Sequence, residues 1–388
     1  MNWDLMLLLI FFLAVYVFYL MNKKKFEVQG KIFFLYKTKF GLKLMDKLSR
    51  FFPKTLKVIG FVGVVVGFIG MILMLWVLIQ MTFKFILQLL SQQAVSPGLV
   101  PVLPGIKVSP LLPVLSFMHW IIIIFIVALV HEFSHGIFMR LNKIKIKSSG
   151  FAFLGPLPAA FVEPDEKQME TKSKKAQLSI LAAGPFSNIV LAFIVLALML
   201  FVFTPIQQSL VEPAELYVYG IVEGYPADIS GVEPETEILG INNNEIRSSN
   251  EFLEFMLDNN GEFVLNTDKG DYNIDPIIEE GKNIIGIQLT QKIDYKNKNV
   301  GTSLFKWFME LLWWLWLISL GVGLFNLLPL GPVDGGRMLP IGLSYIIKDE
   351  NKIKTIWKAV SFFILSLIII NLLYYLVKLF MWIFSLII

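Results

Sequence analysis

The chain of 388 residues is 56% hydrophobic and only 16% charged, with a mean hydropathy of +0.67, well outside the range of soluble proteins. That composition, with a net charge of only +4, excludes a soluble enzyme, a disordered chain and a nucleic-acid binder. Cysteine is absent and the only histidines are His119, His131 and His135, which rules out disulfides, thiolate–zinc sites and a cysteine nucleophile.

Apolar runs long enough to cross a bilayer predict six membrane spans, at 5–21, 58–83, 114–139, 178–204, 304–328 and 356–388. The last holds Lys378, which can snorkel to the interface. Loop charges predict the orientation. Residues 23–57 carry 11 Lys/Arg against Glu27 and Asp46, residues 140–175 carry eight, and residues 331–358 carry five. The 91–112 loop has only Lys107, and residues 205–303 hold six basic against 18 acidic residues. These counts alternate, so the basic loops are expected in the cytoplasm and both termini outside.

Composition shifts at 211–298, which reads as one small extracytoplasmic α+β module. Strands are predicted at 216–222, 263–266 and 284–289, and a helix at 250–258. The expected division is 1–110 (N-terminal spans and basic loop), 111–210 (first part of the membrane core), 211–298 (the module), 299–348 (second part of the core) and 349–388 (last span).

The third span ends His131-Glu132-Phe133-Ser134-His135. Histidines at i and i+4 share one helix face and can reach one metal ion, with Glu132 beside them to take a proton from a metal-bound water. Three ionisable groups inside an apolar run are costly unless they serve a function. Nine residues separate His131 from Arg140, about 13 Å of helix, so the ion is expected within the cytoplasmic part of the bilayer. His119, beside Trp120, reads as an interfacial residue.

A third protein ligand is needed. Asp334 follows a stretch of prolines and glycines, Pro329-Leu330-Gly331-Pro332-Val333-Asp334-Gly335-Gly336, which breaks the fifth span near the expected depth of His131. Irregular backbone at that depth is tolerated only around a cavity or site. Position alone leaves open that Asp334 is instead the N-cap of a 338–347 helix, and Glu163 and Asp165 compete as ligands. In Ala183-Gly184-Pro185-Phe186-Ser187-Asn188, Gly184 permits close helix contact and Asn188 lies one turn later, as a donor toward the site or as packing glue. Residues 150–166 are apolar but rich in Gly and Pro, which suggests re-entrant extended chain.

These blocks resemble the site-2 protease family of intramembrane zinc metalloproteases (peptidase M50-like). The resemblance rests on His131-Glu132-Phe133-Ser134-His135-Gly136, on Gly184 and Asn188, and on Asn326 through Asp334-Gly335-Gly336. Phe161-Val162-Glu163-Pro164-Asp165 adds to it by its likeness to the family's re-entrant strand region. Gly224-Tyr225-Pro226-Ala227-Asp228 and Gly231-Val232-Glu233-Pro234 resemble a PDZ domain. The match covers roughly residues 111–345 and departs from the family's pattern at Gly331-Pro332.

The resemblance implies a polytopic helical membrane protein with a re-entrant strand region and an inserted PDZ-like domain. It implies one Zn2+ held by His131, His135 and Asp334, Glu132 as general base, and Asn188 near the scissile carbonyl. The implied substrates are transmembrane proteins, some pre-cleaved by another protease, unwound locally and held by β-augmentation at the re-entrant strand. Cleavage is expected toward the cytoplasm, within the cell membrane, with the PDZ-like domain on the outer side. Two other readings are a catalytically silent membrane receptor that binds peptides through the PDZ-like module, and a divalent-metal transporter. Glu132 argues against the first, and the scarcity of polar groups in the other spans argues against the second.

Overall fold

The computed structural model describes residues 3–29, 33–39, 41–91, 99, 101–105, 113–154, 157–279 and 281–385. Most of the 91–112 loop, with Lys107, lies outside the described residues, as do the side chain of Lys378 and the chain beyond 385. Among the described residues six helices are long and apolar enough to cross a membrane, matching the six expected spans in order. The chain divides into two compact units: residues 1–106, 114–197 and 311–388 form one, and residues 107–113 and 198–310 the other.

The chain opens with helix α1 (Trp3–Asn22). The basic segment after it is structured: strands β1 (Phe26–Gln29) and β2 (Phe33–Thr38) form a hairpin, and α2 (Leu42–Phe51) follows. Helix α3 (Pro53–Leu90) starts with proline at its first turn, where no amide donor is needed. Its 38 residues extend about 57 Å, so it overruns the apolar run seen in the sequence at both ends. Gly60, Gly63, Gly67 and Gly70 of α3 are buried on one face. A Cβ on Gly67 would lie 2.8 Å from Met338 Cε, so the bare glycine face leaves room for side chains of the neighbouring helices.

Helix α4 (Phe117–Leu141) carries the metal motif. Its N-terminus is capped twice, since Ser116 Oγ accepts from His119 N at 3.1 Å and Asp4 Oδ2, on α1, accepts from Phe117 N at 2.8 Å. A carboxylate there meets both orphan amides and the positive end of the helix dipole. His119 is 1% exposed. Its ring is therefore part of the packed core around the capped first turn of α4. The Gly- and Pro-rich stretch forms strands β3 (Ile146–Leu154) and β4 (Leu157–Pro164), which complete an antiparallel sheet in the order β1-β2-β3-β4. Short helix α5 (Glu166–Glu170) leads into α6 (Lys174–Leu198).

The second unit includes α7 (Thr204–Leu210), β5 (Val211–Ile221), α8 (Pro226–Ile229), β6 (Thr236–Ile241), β7 (Asn244–Glu245) and α9 (Ser249–Asp258). It continues through β8 (Phe263–Thr267), β9 (Gly270–Ile274), β10 (Ile277–Glu279), β11 (Lys282–Ile284) and β12 (Ile287–Tyr295). Its main sheet runs β12-β5-β6-β8-β9, with β7 on β6, over a core of Leu216, Val218, Ile238, Phe252 and Leu265. The single closing strand expected at 284–289 is two strands. Gly286 has φ of 78°, a left-handed conformation that ends one and starts the other.

Helices α10 (Val300–Phe325), α11 (Asp334–Leu343) and α12 (Glu350–Ser385) complete the chain. The expected break lies between α10 and α11. Asp334 is the first residue of α11 and not its N-cap, a place taken by Val333. The loop is closed by Gly335 N donating to Asn326 O at 2.7 Å. From α12, Trp357 Nε1 donates to Gly336 O at 2.8 Å and Ser361 Oγ to Pro329 O at 3.2 Å. A Cβ on Gly335 or Gly336 would collide with backbone carbonyls of this loop, so both positions require glycine.

Candidate metal centre

Three elements meet around α4. His131 Nε2 stands 3.0 Å and His135 Nε2 3.3 Å from Asp334 Oδ2, and the two Nε2 atoms are 3.2 Å apart. Among the described residues, these three form the one group of His, Asp or Glu able to hold a metal ion. Four ligands placed tetrahedrally at about 2.0–2.1 Å from a first-row cation are separated by about 3.3–3.4 Å. The observed triangle has nearly that size.

The protonation pattern also fits a cation. His135 Nδ1 lies 2.7 Å from Ile180 O, and a carbonyl only accepts, so Nδ1 carries the proton. In the neutral ring with its proton on Nδ1, the Nε2 lone pair faces the Asp334 carboxylate. Asp334 Oδ2 is buried and makes no hydrogen bond of good geometry. Lone pairs that converge in a buried site without a shared proton are the arrangement of ligands around a positive ion.

Helix α6 supports both imidazoles from behind. Asn188 is fully buried, its amide is 3.1 Å from His131 Nδ1, and its Oδ1 has no partner. The two ends of an amide are assigned from their surroundings. Turned over, Oδ1 accepts from His131 Nδ1–H and leaves the Nε2 lone pair facing Asp334. Ile180, Gly184 and Asn188 are spaced i, i+4, i+8 on one face of α6. Ile180 holds His135, Asn188 holds His131, and bare Gly184 leaves room between them. A Cβ on Gly184 would lie 2.7 Å from His131 Nε2 and would also collide with His135 Nε2. Ser319 Oγ, from α10, donates to Asn188 O at 2.9 Å.

Glu132 lines the same cavity, of about 260 Å³, as His131, His135, Asn326, Asp334 and Arg337. Its Oε2 accepts from Val162 N, on β4, at 3.2 Å. The competing carboxylates are engaged elsewhere. Glu163 Oε2 accepts from Ser148 Oγ at 2.6 Å and stands 3.7 Å from Lys37 Nζ, while Asp165 Oδ1 caps α5 through Gln168 N at 3.2 Å. Gly331 and Pro332 belong to the loop that delivers Asp334. Sequence reasoning missed the Ile180 carbonyl and Ser319. A backbone acceptor leaves no residue-type signal, and a lone serine in an apolar helix is weak evidence.

Residues 119–368 match the family model described as Peptidase family M50. An uncharacterized protein of Methanocaldococcus jannaschii is 28% identical over 319 residues, covering 80% of this chain and 77% of its own. The crystal structure of the PDZ domain of an SdrC-like protein from Listeria monocytogenes is 24% identical, with a TM-score of 0.18, over 19% of this chain and 86% of that domain.

Proposed function

The chain belongs to peptidase family M50, the metallopeptidase family of the site-2 proteases, and from this premise we propose that it is an intramembrane zinc endopeptidase. It hydrolyses peptide bonds within or near the membrane-spanning segments of protein substrates. The observation that carries the reading is the His131–His135–Asp334 triangle, with Glu132 in the same cavity.

His131, His135 and Asp334 would hold the zinc. When bound, zinc supplies Lewis acidity that brings the pKa of a water near 7 and polarises a carbonyl. Glu132 takes the proton of the attacking water and passes it to the leaving amine. The Val162 N–H donated to Glu132 keeps that carboxylate oriented. Asn188 acts as a positioning residue, which orients His131 from behind through the contact at Nδ1.

The substrate must unwind to expose its carbonyls, and β4 offers it an edge. Among the described residues strand β4 pairs only with β3, and the Val162 N–H, turned toward Glu132, marks its other side. Alternate residues share one edge of a strand, so Ala160 faces the same way. Pro158 and Pro164 bring no donor there, which leaves the Ala160 N–H to pair with an extended substrate segment.

The basic loops lie in the cytoplasm with the cut bond, and the termini lie outside. The acidic 211–298 module is PDZ-like and extracytoplasmic, a reading supported by Gly224-Tyr225-Pro226-Ala227. It divides a catalytic core made of 111–210 and 299–348, flanked by spans in 1–110 and 349–388. Transmembrane proteins already cut by another protease are the natural substrates, because loss of a bulky outer domain opens the way in.

Metal content tests the reading without a substrate. Detergent-purified protein is expected to carry about one zinc per chain, lost in both His131→Ala and Asp334→Ala and retained in Glu163→Ala. Zinc retained by a folded Asp334→Ala protein would remove Asp334 from the site, and a folded wild type without zinc would end the enzyme reading.

Asn188→Ala is expected to weaken zinc affinity about 10–100-fold, measured by competition with a chelator. Asn188→Asp, whose carboxylate still accepts from Nδ1–H, should restore most of that affinity. Unchanged affinity in Asn188→Ala would refute the positioning role.

A further inference from the structure

Two clefts meet where α3 and α4 leave the apolar layer. The first, of about 560 Å³, runs between α3, α4 and α6, and its walls include Gly60, Phe61, Val64, Phe138 and Leu178. Among the described residues no carboxylate lines it. The second, of about 600 Å³, is lined by Arg50, Lys57, Arg140, Lys143 and Lys145, with Asp46 as its one acid. Lys57 and Leu141 line both clefts, so an apolar trough continues into a basic basin.

Only Arg140 has its charge met locally, by Asp46 at 3.2 Å, and its Nε is buried without a well-aligned acceptor. Arg50, Lys57, Lys143 and Lys145 enter no ion pair among the described residues. The bias of basic residues toward the cytoplasmic side accounts for cations near this boundary. It does not account for their lining a hollow that opens into a hydrocarbon-walled trough.

The backbone supplies a second sign. Lys143 has φ of 57° in the turn that ends α4, where Ile144 N donates to Met139 O at 2.9 Å. This is the left-handed position after a helix that glycine ordinarily fills. A lysine held there is at a conformational disadvantage, which suits a side chain needed at that spot.

We propose that these joined clefts bind an anionic phospholipid, with its phosphate among Arg50, Lys57, Lys143 and Lys145 and an acyl chain along α3 and α6. Charge complementarity selects the headgroup and the apolar trough selects the chain. The bound lipid would tie α2, α3 and α4 together at the end of the helix that carries His135. The proposal stands on charge and shape and does not depend on proteolysis.

The test is native mass spectrometry of the full chain in detergent, titrated with dioleoyl phosphatidylglycerol and dioleoyl phosphatidylcholine. Phosphatidylglycerol is expected to bind more tightly. Each cation at a headgroup layer changes affinity about five-fold, so Lys143→Gly with Lys145→Gln should weaken phosphatidylglycerol about 25-fold and leave phosphatidylcholine unchanged. Glycine relaxes the backbone at 143, so this loss would not reflect unfolding. Ala176 on α6 also lines the trough, so Ala176→Leu, which fills it, should weaken both lipids. Lys23→Gln with Lys24→Gln, away from both clefts, should change neither.

Three results would each overturn the proposal: equal affinity for the two lipids, an unaffected double variant at 143 and 145, or an equal loss in the variant at 23 and 24. Effective competition by glycerol phosphate at the same concentration would show a water-soluble phosphate ligand and overturn it as well.

Discussion

Glu132→Gln is expected to abolish measurable cleavage while leaving the zinc in place. A positioned general base contributes about 10²–10⁴-fold in rate, and the amide cannot take a proton at neutral pH. The substitution is otherwise conservative. The glutamine carbonyl oxygen can still accept from Val162 N, which now bonds to Glu132 Oε2 at 3.2 Å. The three proposed ligands are other residues, so metal content should stay at the wild-type level. Purified wild type and variant would be compared for zinc per chain and for turnover of a membrane-embedded substrate. Cleavage at the wild-type rate by a zinc-loaded variant would assign the proton transfer to another group. Joint loss of zinc and activity would show that Glu132 acts on the metal site itself.

What could be read in the sequence follows how local each signal is. His131, Glu132 and His135 lie within five residues on one helix, and helical geometry alone puts the two imidazoles on one face. Asp334 was placed at their depth by counting residues into a span and seeing prolines and glycines stop it, because broken backbone in a bilayer has few tolerated locations. The same reasoning could not choose it over Glu163, whose engagement by Ser148 and Lys37 depends on the pairing of β2, β3 and β4. The β1–β2 hairpin was invisible because its lysines read as a topological charge signal. A left-handed glycine at 286 splits what periodicity reads as one strand. His119 looked interfacial because its neighbour is Trp120, and it is buried because Asp4, more than a hundred residues earlier, caps the same helix end. For Glu163 and His119 the missing information was a contact with another segment of the chain, and for residues 26–38 and Gly286 it was a local backbone conformation that residue type alone does not announce.

Gly184 is where helix packing and metal chemistry impose the same demand, and Gly184→Ala is expected to lose the zinc and about 10²-fold or more in activity. The added carbon would sit 2.7 Å from His131 Nε2 and 2.8 Å from His131 Cε1, and in collision with His135 Nε2. Neither ring can retreat freely. His135 is fixed by Ile180 O at 2.7 Å, and His131 by the Asn188 amide at 3.1 Å. Both supports belong to α6, so moving that helix away to admit the methyl also withdraws the groups that orient the ligands. A displacement of about 1 Å in a catalytic constellation costs on the order of 10²-fold. Alanine otherwise favours a helix over glycine, so the helix itself should not suffer. Gly63→Ala is the matched control, since its Cβ would meet Phe186 at an ordinary 3.4 Å and should leave zinc content and activity unchanged. Circular dichroism, zinc per chain and turnover would be measured on all three proteins. A folded Gly184→Ala enzyme with full zinc would show that the two imidazoles have slack, and the close registry of α4 against α6 would then not be what holds the metal centre together.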